Sequence, residues 1–442
     1  MRTAIPGKRL RVLLSAYACL PGWGTEPGVG WHTARLMARH HDVWLLTYAG
    51  FRRAIDAELA ERPVPGLHVV YHRLPFEHAR FVEDGEWRTG FAEQAHYYAW
   101  QVTAGALARR LHAGARFDLA AHVTFVKYWA PSAVDGLGIP FVWGPVGGGE
   151  SAPRSLYPTF SDAGLRYERR RDAARSLFER DPRVRRTARR AALAFATTEE
   201  TRQRMQSLGA LSVEIRSAIG LSEAEVARLA ASPALADGPM RFLAMGRLLA
   251  FKGHRFALEA FASAARDGRE MAGAELWLVG EGPERPALEV LVRELGIGDR
   301  VRMPGHLPRE EALRLLGTSH VLVQPSLHES GGGVALEAMA AGRPVVCFDL
   351  GGSAVHVCPD AGVRVPADAP APAIQGLADA MRALAGDADR RRAMGAAGRL
   401  HVQRHFVWER RIADLAERYR AVAGSAEARV TNTPAILARI DA

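Results

Sequence analysis

Short apolar runs, each followed by a loop and an amphipathic stretch, recur along the whole chain. Runs of this kind, bounded by Gly, Pro and Asp, predict buried parallel strands. The first half contains six of them, at Val12–Ser15, Val43–Thr47, His68–His72, Leu119–His122, Phe141–Trp143 and Leu193–Thr197. The second half contains another six, at Arg241–Met245, Leu276–Val279, Arg300–Met303, Val321–Gln324, Val345–Phe348 and Gly362–Val365. Two successive strand–helix series predict an α/β protein with two doubly wound, Rossmann-like domains.

The two series also set the predicted domain boundaries. We expect a first domain over residues 1–210, a linker over 211–239 that includes the breaker PALADGP, and a second domain over 240–406. An amphipathic helix follows over 408–424, and a loose tail covers 425–442. Open α/β sheets bind ligands beyond the carboxyl ends of their strands. Two such domains are therefore predicted to face each other across a cleft.

Charge and cysteine content narrow the possible partners. The formal net charge of the 442 residues is +10, and the densest basic segment runs from Arg166 to Arg190. We interpret this segment as a solvated helix face, with contact to a membrane surface or an acidic substrate as the alternative. We expect no nucleic-acid partner, because no recognition module accompanies the charge. The three cysteines lack zinc-like spacing, which favours a reduced, cytoplasmic compartment.

Residues 8–20 imitate a signal peptide, with a basic start and a short apolar run. They lead directly into a glycine loop and a helical pattern, so we interpret them as the first strand. No stretch reaches the roughly 18 apolar residues that a membrane span requires. The prediction is a cytoplasmic protein, with association at the inner face of the membrane as an alternative.

The stretch HESGGGVALEAMAAG, residues 328–342, follows a predicted strand and places glycines where a helix begins. The helix is predicted to start at Ser330 or Gly331 and to end at the C-cap Gly342. Backbone amides in a first helical turn are free and carry partial positive charge, and glycine lets an anion approach them. The amides of residues 331–334 (Gly331, Gly332, Gly333 and Val334) are therefore predicted to bind a diphosphate.

Two acids flank these glycines. Glu329 precedes the helix and Glu337 lies about two turns further on, which corresponds to roughly 10 Å along a helix axis. A sugar nucleotide has about this distance between its sugar and its ribose. Glu329 is therefore predicted to bind the donor sugar, and Glu337 the two ribose hydroxyls.

Two cations follow the strand at Arg241–Met245. Arg247 and Lys252 are separated by a short loop that can direct both side chains to one place. Departure of a nucleoside diphosphate requires positive charge near the leaving oxygens. The only Asp-x-Asp sequence, Asp387–Asp389, reads as a surface turn. We expect Arg247 and Lys252 to replace a metal ion, so the prediction is no metal and no cofactor.

Further candidates follow other strands. The loop PGWGTEPGVG, residues 21–30, precedes a helix predicted at Trp31–Arg39. It lacks the third glycine of a dinucleotide fingerprint. Gly24 and Thr25 are predicted to contact the donor and Glu26 the acceptor.

Three more strand ends carry candidate residues. His122 ends a strand and is predicted to hydrogen-bond the donor sugar, with a satisfied core histidine as the alternative. Gly282 is predicted to line the nucleotide site, and Gly147 and Gly148 an acceptor-side loop.

Taken together, these features resemble the retaining family 4 glycosyltransferases, which have the GT-B fold. The resemblance rests on the N-terminal glycine loop, His122, the pair Arg247 and Lys252, the Glu329–Glu337 spacing and the final helix. It implies an acceptor-side first domain, a nucleotide-sugar-binding second domain, and a last helix that returns to the first domain. It also implies a nucleoside-diphosphate sugar as donor and metal-independent transfer with retention of anomeric configuration.

The resemblance assigns roles to these residues. Arg247 and Lys252 would steady the leaving diphosphate, and the departing phosphate would take the acceptor proton. His122 would join Arg247, Lys252 and Glu329 in the catalytic set. The sequence departs from the family where Ser330, Gly331 and Gly332 replace a bulky aromatic residue, and where Trp23 lengthens the first loop.

Several alternatives stay open. The expected acceptor is a bacterial polysaccharide or a lipid-linked precursor of one, with a small secondary metabolite as the alternative. A nucleotide-sugar epimerase of the same fold is a second alternative, although the acid and base it needs around one sugar carbon cannot be assembled here. The donor base (UDP, GDP, ADP or dTDP), the sugar, the linkage and the oligomeric state are also left open.

Overall fold

The structure of the protein is a computed structural model that describes residues 8–24, 26–75, 82–83, 86–87, 91–125, 127–233, 239–267 and 269–440. The chain divides into two compact units. Unit 1 comprises Met1–Gly149, Arg175–Ala218 and Trp408–Ala442, and unit 2 comprises Glu150–Ala174 and Ile219–Val407.

The described strands, in chain order, are β1 Arg11–Ala16, β2 Asp42–Tyr48, β3 Leu67–His72, β4 Val82–Glu83, β5 Glu86–Trp87, β6 Leu119–Thr124, β7 Phe141–Val146, β8 Leu193–Ala196, β9 Val213–Ile215, β10 Arg241–Met245, β11 Glu275–Val279, β12 Val301–Gly305, β13 Val321–Gln324, β14 Val345–Phe348 and β15 Gly362–Val365. Each of the twelve strands predicted from apolar runs lies at one of these positions, and no end differs by more than three residues.

The described α-helices are α1 Glu26–Met37, α2 Arg52–Glu61, α3 Phe91–Ala115, α4 Asp162–Phe178, α5 Pro182–Arg190, α6 Glu199–Ser207, α7 Glu223–Ala230, α8 His254–Asp267, α9 Arg285–Glu294, α10 Arg309–Gly317, α11 Gly333–Ala340, α12 Gly351–His356, α13 Pro370–Gly386, α14 Ala388–His405 and α15 Trp408–Ile440. Short 3₁₀ turns lie at Ala49–Phe51, Arg154–Thr159, Ala250–Lys252 and Arg269–Met271.

Unit 1 contains a parallel sheet whose described strands run in the order β3-β2-β1-β6-β7-β8-β9. Its central strands are apolar on both faces: β6 and β7 are buried along their whole length, and β1 is buried after Arg11. Strand order reverses between β1 and β6, which makes their carboxyl ends the switch point of this sheet.

Unit 2 repeats the pattern with a parallel sheet of described order β12-β11-β10-β13-β14-β15. Strand order reverses between β10 and β13, which are paired through Phe242 opposite Val321. The predicted fold class of two doubly wound domains is therefore confirmed. The loops that follow β10 and β13 begin side by side at the switch point, where α/β sheets bind ligands.

The final helix belongs to unit 1, as expected. His32 of α1 stacks on Trp408 with ring centroids 5.4 Å apart, and the Nε2 atom of His41 lies 3.2 Å from the Ala416 carbonyl oxygen. The helix continues to Ile440, so the predicted tail over 425–442 is helical as far as that residue. Small polar residues predict a loose segment here, but the alanines among them are strong helix formers.

One segment lies in a different unit from the one we predicted. Residues 150–174 fall within the predicted first domain of 1–210, yet they belong to unit 2. Ala152 and Leu156 are buried in the unit 2 core, and Ser161 donates a 2.7 Å hydrogen bond to Glu284. The predicted linker over 211–239 contains β9 and α7, and the unit boundary falls within it, after Ala218.

Candidate functional site

Two loops of unit 2 carry five of the residues predicted for donor binding and catalysis: Arg247, Lys252, Glu329, Gly331 and Gly332. Gly246–Gly253 follows β10, and Pro325–Gly332 follows β13, the strand beside it. The two loops meet at Gly253, whose added Cβ would lie 2.0 Å from the Pro325 carbonyl oxygen. Only glycine, with φ of 68°, fits this close approach. The contact brings the 3₁₀ turn that ends at Lys252 against the loop that carries Glu329.

Lys252 and Glu329 form an ion pair. The Lys252 Nζ atom lies 2.5 Å from the Glu329 Oε2 atom, and the two side chains are only 17% and 16% exposed. The sequence predicted both residues for the donor site but did not predict that they touch. A partly buried pair excludes some of the water that would otherwise screen the two charges.

The environment of Glu329 keeps it ionised. Burial would raise the pKa of this carboxyl, but the Lys252 ammonium, the Ser326 side chain and the Gly332 amide together hold it below its usual range. Its backbone is fixed as well, because the Glu329 carbonyl oxygen accepts a 2.5 Å hydrogen bond from the Gly352 amide. Glu329 is therefore a positioned acceptor for hydroxyl groups.

Helix α11 starts at Gly333, later than the predicted Ser330 or Gly331. Gly332 is the N-cap and has φ of 70°, in the left-handed region that glycine adopts readily. The loop therefore ends at this residue. Gly342, predicted as the C-cap, lies just past Ala341 with φ of 74°. Glu329 is thus four residues ahead of the helix, so helical rise does not give its distance from Glu337.

The other two glycines of the stretch have no steric requirement of their own. An added Cβ would lie 3.8 Å from Ile219 at Gly331 and 3.6 Å from Ile219 at Gly333, which are ordinary contacts. The amides of Gly333 and Val334 belong to the first helical turn and have no acceptor within the helix. Space in front of positively polarised amides is what an anionic ligand needs.

Glu337 lies about one helical turn after Gly333, the first residue of α11, and its side chain is buried. Burial raises the pKa of its carboxyl, and Arg309 opposes this effect from 2.9 Å away. Arg309 also pairs with Glu225 of α7 at 3.2 Å. The sequence analysis predicted Glu337 but missed Arg309, because its partner is in another helix and no spacing rule connects them.

The remaining residues after β10 and β11 are placed by backbone contacts. An added Cβ at Gly282 would lie 2.4 Å from the Leu248 carbonyl oxygen, so this glycine lets two loops pass each other. Arg247 is exposed, and the Nε2 atom of His254 lies 3.3 Å from its carbonyl oxygen. Burial and the nearby Lys252 lower the pKa of His254 to about 4. The neutral ring therefore holds the loop that presents Arg247 and Lys252.

Sequence analysis missed two buried acids that fasten the residues on either side of Glu329. Ser330 donates a 2.6 Å hydrogen bond to Glu150, which is 2% exposed. The His328 Nε2 atom lies 2.7 Å from Glu168 Oε1, and the His328 ring stacks on Phe251. Glu150 and Glu168 both come from the segment 150–174, whose assignment to unit 2 was not foreseen.

The first glycine loop has a packing role. Helix α1 starts at Glu26, ahead of the predicted Trp31, and so contains Gly28 and Gly30. An added Cβ at Gly28 would lie 1.7 Å from the Trp23 carbonyl oxygen, which is why only glycine fits there. Gly24 is exposed before the helix and Glu26 is its half-buried first residue. Thr25 lies outside the described residues.

The other predicted residues of unit 1 are buried. His122 is inaccessible, its ring nitrogens lie 3.3 Å from the Tyr97 hydroxyl and 3.1 Å from the Ser132 hydroxyl, and burial lowers its pKa to about 3. In this structure it is the core histidine of our alternative interpretation. Gly147 and Gly148 are also buried, and their carbonyls accept hydrogen bonds from Tyr128 and Arg175. Their roles toward donor and acceptor stay predictions.

Two searches cover the described residues only. Within them, no helix combines the length and apolar character needed to cross a membrane. Within the same residues, no cluster of three or more His, Cys, Asp and Glu side chains is arranged to hold a metal ion.

Comparison with known proteins gives a family match for part of the chain. Residues 227–401, which include the Lys252–Glu329 pair and the glycine-rich start of α11, match the family model for glycosyl transferases group 1. This part of the chain is similar to the group 1 glycosyl transferases. The group 1 segment holds the residues after β10, β11 and β13 that were predicted to bind the donor.

Individual relatives agree with this assignment. The chain is 38% identical to the 2-deoxystreptamine glucosyltransferase of Streptomyces kanamyceticus over 29% of this chain and 31% of the relative. The first curated relatives are matched over less than half of their own length.

Solved structures extend the likeness to nearly the whole chain. Sucrose-phosphate synthase from Thermosynechococcus elongatus has a TM-score of 0.63 and 21% identity, covering 94% of this chain and all of that one. HepE from Anabaena in complex with UDP has a TM-score of 0.58 and 15% identity, covering 93% of this chain and all of that one. These likenesses establish the GT-B fold.

Proposed function

We propose that this protein is a glycosyltransferase that moves a sugar from a nucleoside-diphosphate sugar to an acceptor hydroxyl, with retention of configuration and without a metal ion. The observation that supports it best is the Lys252–Glu329 contact at the switch point of unit 2. This pair lies ahead of a helix start with open amides, inside the group 1 segment.

The donor diphosphate would bind at the first turn of α11. The amides of Gly333 and Val334 point along the helix axis toward this position, and Gly331 adds no side chain to block it. Lys252 carries three donors, so it can keep its bond to Glu329 and still reach a phosphate oxygen. Arg247, presented by the same loop, would supply a second positive charge as the diphosphate departs.

The two acids would bind the ends of the donor. Glu329 would accept hydrogen bonds from sugar hydroxyls, because Lys252 and the Gly332 amide keep its carboxyl ionised. Glu337 would accept from the ribose hydroxyls. Its Oε1 atom is paired with Arg309, but a carboxylate has about four acceptor positions, so this pair leaves room for both hydroxyls.

The transfer step follows from the family resemblance. The bond between the sugar anomeric carbon and the phosphate oxygen breaks, and a bond from the acceptor oxygen forms on the same face of the sugar. The acceptor proton passes to the departing phosphate oxygen, so no protein base is required. Lys252 and Arg247 would stabilise the negative charge that develops on that phosphate.

The comparisons favour particular donors and acceptors to try first. The structure of HepE contains UDP, which makes UDP-sugars the first donors to test. The Streptomyces kanamyceticus relative is named for 2-deoxystreptamine, so a small secondary metabolite competes with the polysaccharide or glycolipid acceptor predicted from sequence.

The decisive experiment is a panel of UDP-, GDP-, ADP- and dTDP-sugars, first screened by thermal shift and then assayed for transfer with and without EDTA. We expect one donor to stabilise the fold, the product to keep the donor's anomeric configuration by NMR, and the rate to be unchanged by EDTA. An inverted product would refute retention. A rate abolished by EDTA and restored by magnesium would refute the role given to the two cations.

A further inference from the structure

Unit 1 contains a pocket that none of the donor or acceptor predictions uses. Its volume is about 230 Å³, and three elements line it: one face of α3, one face of α5, and the loop 131–137 between β6 and β7. Helix α3 contributes Gln101, Gly105 and Arg109, which are four residues apart and therefore on one face.

Most of the charge in this pocket is positive. Four guanidinium groups line it, from Arg109 of α3 and from Arg183, Arg186 and Arg190 of α5. The α5 arginines are spaced by three and four residues, so helical periodicity directs all three to one side. The lining contains a single carboxylate, Asp135, which leaves a net charge of +3 in the pocket.

Asp135 is already committed to the protein. Its side chain is 2% exposed, its two oxygens lie 3.0 and 3.3 Å from Arg186 nitrogens, and it accepts a 2.6 Å hydrogen bond from Thr187. This carboxylate therefore anchors α5 to the loop and neutralises only Arg186. Arg109, Arg183 and Arg190 line the rest of the pocket, with the Arg190 guanidinium only 3.5 Å from the Asp135 backbone oxygen.

The three further guanidiniums are exposed and carry like charges around one concave space, so an anion that joins them lowers their mutual repulsion. The planar guanidinium presents paired donors that match phosphate oxygens, and several such groups converge here from two helices. From sequence we interpret the basic segment as a solvated helix face. That interpretation accounts for the arginines of α5, but it does not explain why α3 contributes a further arginine to the same cavity. We propose that this pocket binds a phosphate group.

Two sources share this chemistry: a soluble phosphorylated small molecule and the headgroup of an anionic phospholipid. The experiment has one arm for each. In the first arm, inorganic phosphate is titrated into the full-length protein by calorimetry at constant ionic strength. In the second arm, the protein is sedimented with phosphatidylcholine vesicles that either contain or lack phosphatidic acid.

The chain provides a matched control on the same two helices. The test variant combines Arg109→Ala and Arg183→Ala, which removes two lining side chains. The control combines Arg110→Ala and Arg185→Ala, which are exposed like the test pair but do not line the pocket. Both double variants lose the same charge. Both also keep the proposed donor site, so phosphate that binds at the donor site contributes equally to the two measurements.

We expect binding in at least one arm to weaken about tenfold or more in the test variant and to stay near the parent value in the control, because charge-assisted hydrogen bonds are lost only in the former. Selective loss with free phosphate identifies a soluble ligand, and selective loss with vesicles alone identifies a headgroup. Equal losses in both variants, or binding in neither arm, would overturn the proposal.

Folding is checked independently. Circular dichroism and the thermal midpoint are measured for each variant, and Arg109→Lys with Arg183→Lys serves as a second test pair that keeps the charge but removes the planar fork. Weaker binding in a folded lysine variant supports the pocket, and unchanged binding in it would contradict the recognition by guanidinium forks. None of these measurements depends on glycosyltransferase activity.

Discussion

Two glycine-rich stretches, residues 21–30 of unit 1 and residues 328–333 of unit 2, look alike in sequence and differ in what surrounds their glycines. Added Cβ atoms at Gly28 and Gly30 would lie 1.7 and 2.2 Å from backbone oxygens of their own unit. Added Cβ atoms at Gly331 and Gly333 would make ordinary contacts at 3.6 Å or more. In the first stretch glycine permits chain packing, and in the second it leaves open space in front of a helix.

The largest expected effect tests whether the second stretch is a chemical site. Lys252→Ala removes the cation beside Glu329 and should lower kcat by roughly 10²–10³-fold, the usual cost of one transition-state donor. Donor affinity should fall far less. Steady-state kinetics with the donor found in the panel would measure both quantities.

Arg255→Ala is the matched control for this variant, because Arg255 lies three residues away and is an exposed residue that pairs with Glu259 of α8. It should leave kcat close to the parent value. A Lys252→Ala enzyme that loses affinity and turnover equally would contradict the role of Lys252 in stabilising the leaving group.

Gly28→Ala tests the packing half of the comparison. The new methyl group would overlap the Trp23 carbonyl, so the variant should lose about 1–3 kcal/mol of unfolding free energy, as overpacked sites do. Urea denaturation measures this loss. If the variant were as stable as the parent, the first stretch would not be constrained by packing and the contrast between the stretches would disappear.

Gly331→Ala tests the other half. Its methyl group meets only Ile219, so unfolding free energy should stay within about 0.5 kcal/mol of the parent. Donor affinity should fall about tenfold, because the methyl group enters the space proposed for the diphosphate. Donor titration by calorimetry gives the affinity.

Gly298→Ala is the control, since its methyl group also makes just one ordinary contact, with Val292, away from both loops. It should change neither stability nor affinity. Full affinity in Gly331→Ala would instead place the diphosphate elsewhere.

The smallest effect concerns His122, which, like Gly28 and Gly30, is packed inside unit 1. Burial lowers its folded-state pKa to about 3 from 6.5, so the unfolded chain binds a proton more readily. The free energy of unfolding is therefore highest with respect to this group above pH 6.5, where the ring is neutral in both states. It declines as the pH falls below 6.5, because protons then bind preferentially to the unfolded chain. Between pH 7 and pH 6 the loss is roughly 0.7 kcal/mol for this one group.

His122→Gln should remove this part of the pH dependence, measured by urea denaturation at both pH values. The exposed His306→Gln serves as the control and should keep the parent's slope. An unchanged slope in His122→Gln would show that the buried ring is not responsible. If kcat also collapsed in a stable His122→Gln enzyme, the original assignment of His122 to the donor sugar would be favoured.

These contrasts show what the sequence could and could not reveal. Apolar runs between breakers located the strands because a buried parallel strand must be apolar on both faces. Glu329, Lys252 and the glycines could be predicted as donor residues because the chemistry of strand ends and helix starts is local to the sequence. The ion pair between Lys252 and Glu329 could not be predicted. It depends on the close approach of Gly253 to Pro325, a contact between positions that are distant in the sequence.

Long-range partners account for most of the other differences. Glu150 and Glu168 carry no local motif, and only the folded segment 150–174 brings them to Ser330 and His328. Likewise, a histidine at a strand end looks the same in sequence whether its ring faces a ligand or, as His122 does, neighbouring side chains. The later start of α11 was missed because three consecutive glycines give no signal for which one adopts the left-handed conformation.

The chain leaves unit 1 at Ala218 and returns to it only at Trp408. During synthesis from the N-terminus, unit 2 therefore has all of its residues before unit 1 has its last helix. Until then, two aromatic contacts of unit 1 cannot form. These are the stacking of His32 of α1 on Trp408 and the stacking of His41 on Tyr419. A message cut short before Trp408 would still encode every residue proposed to hold the donor, but it would leave the other half of the protein unfinished.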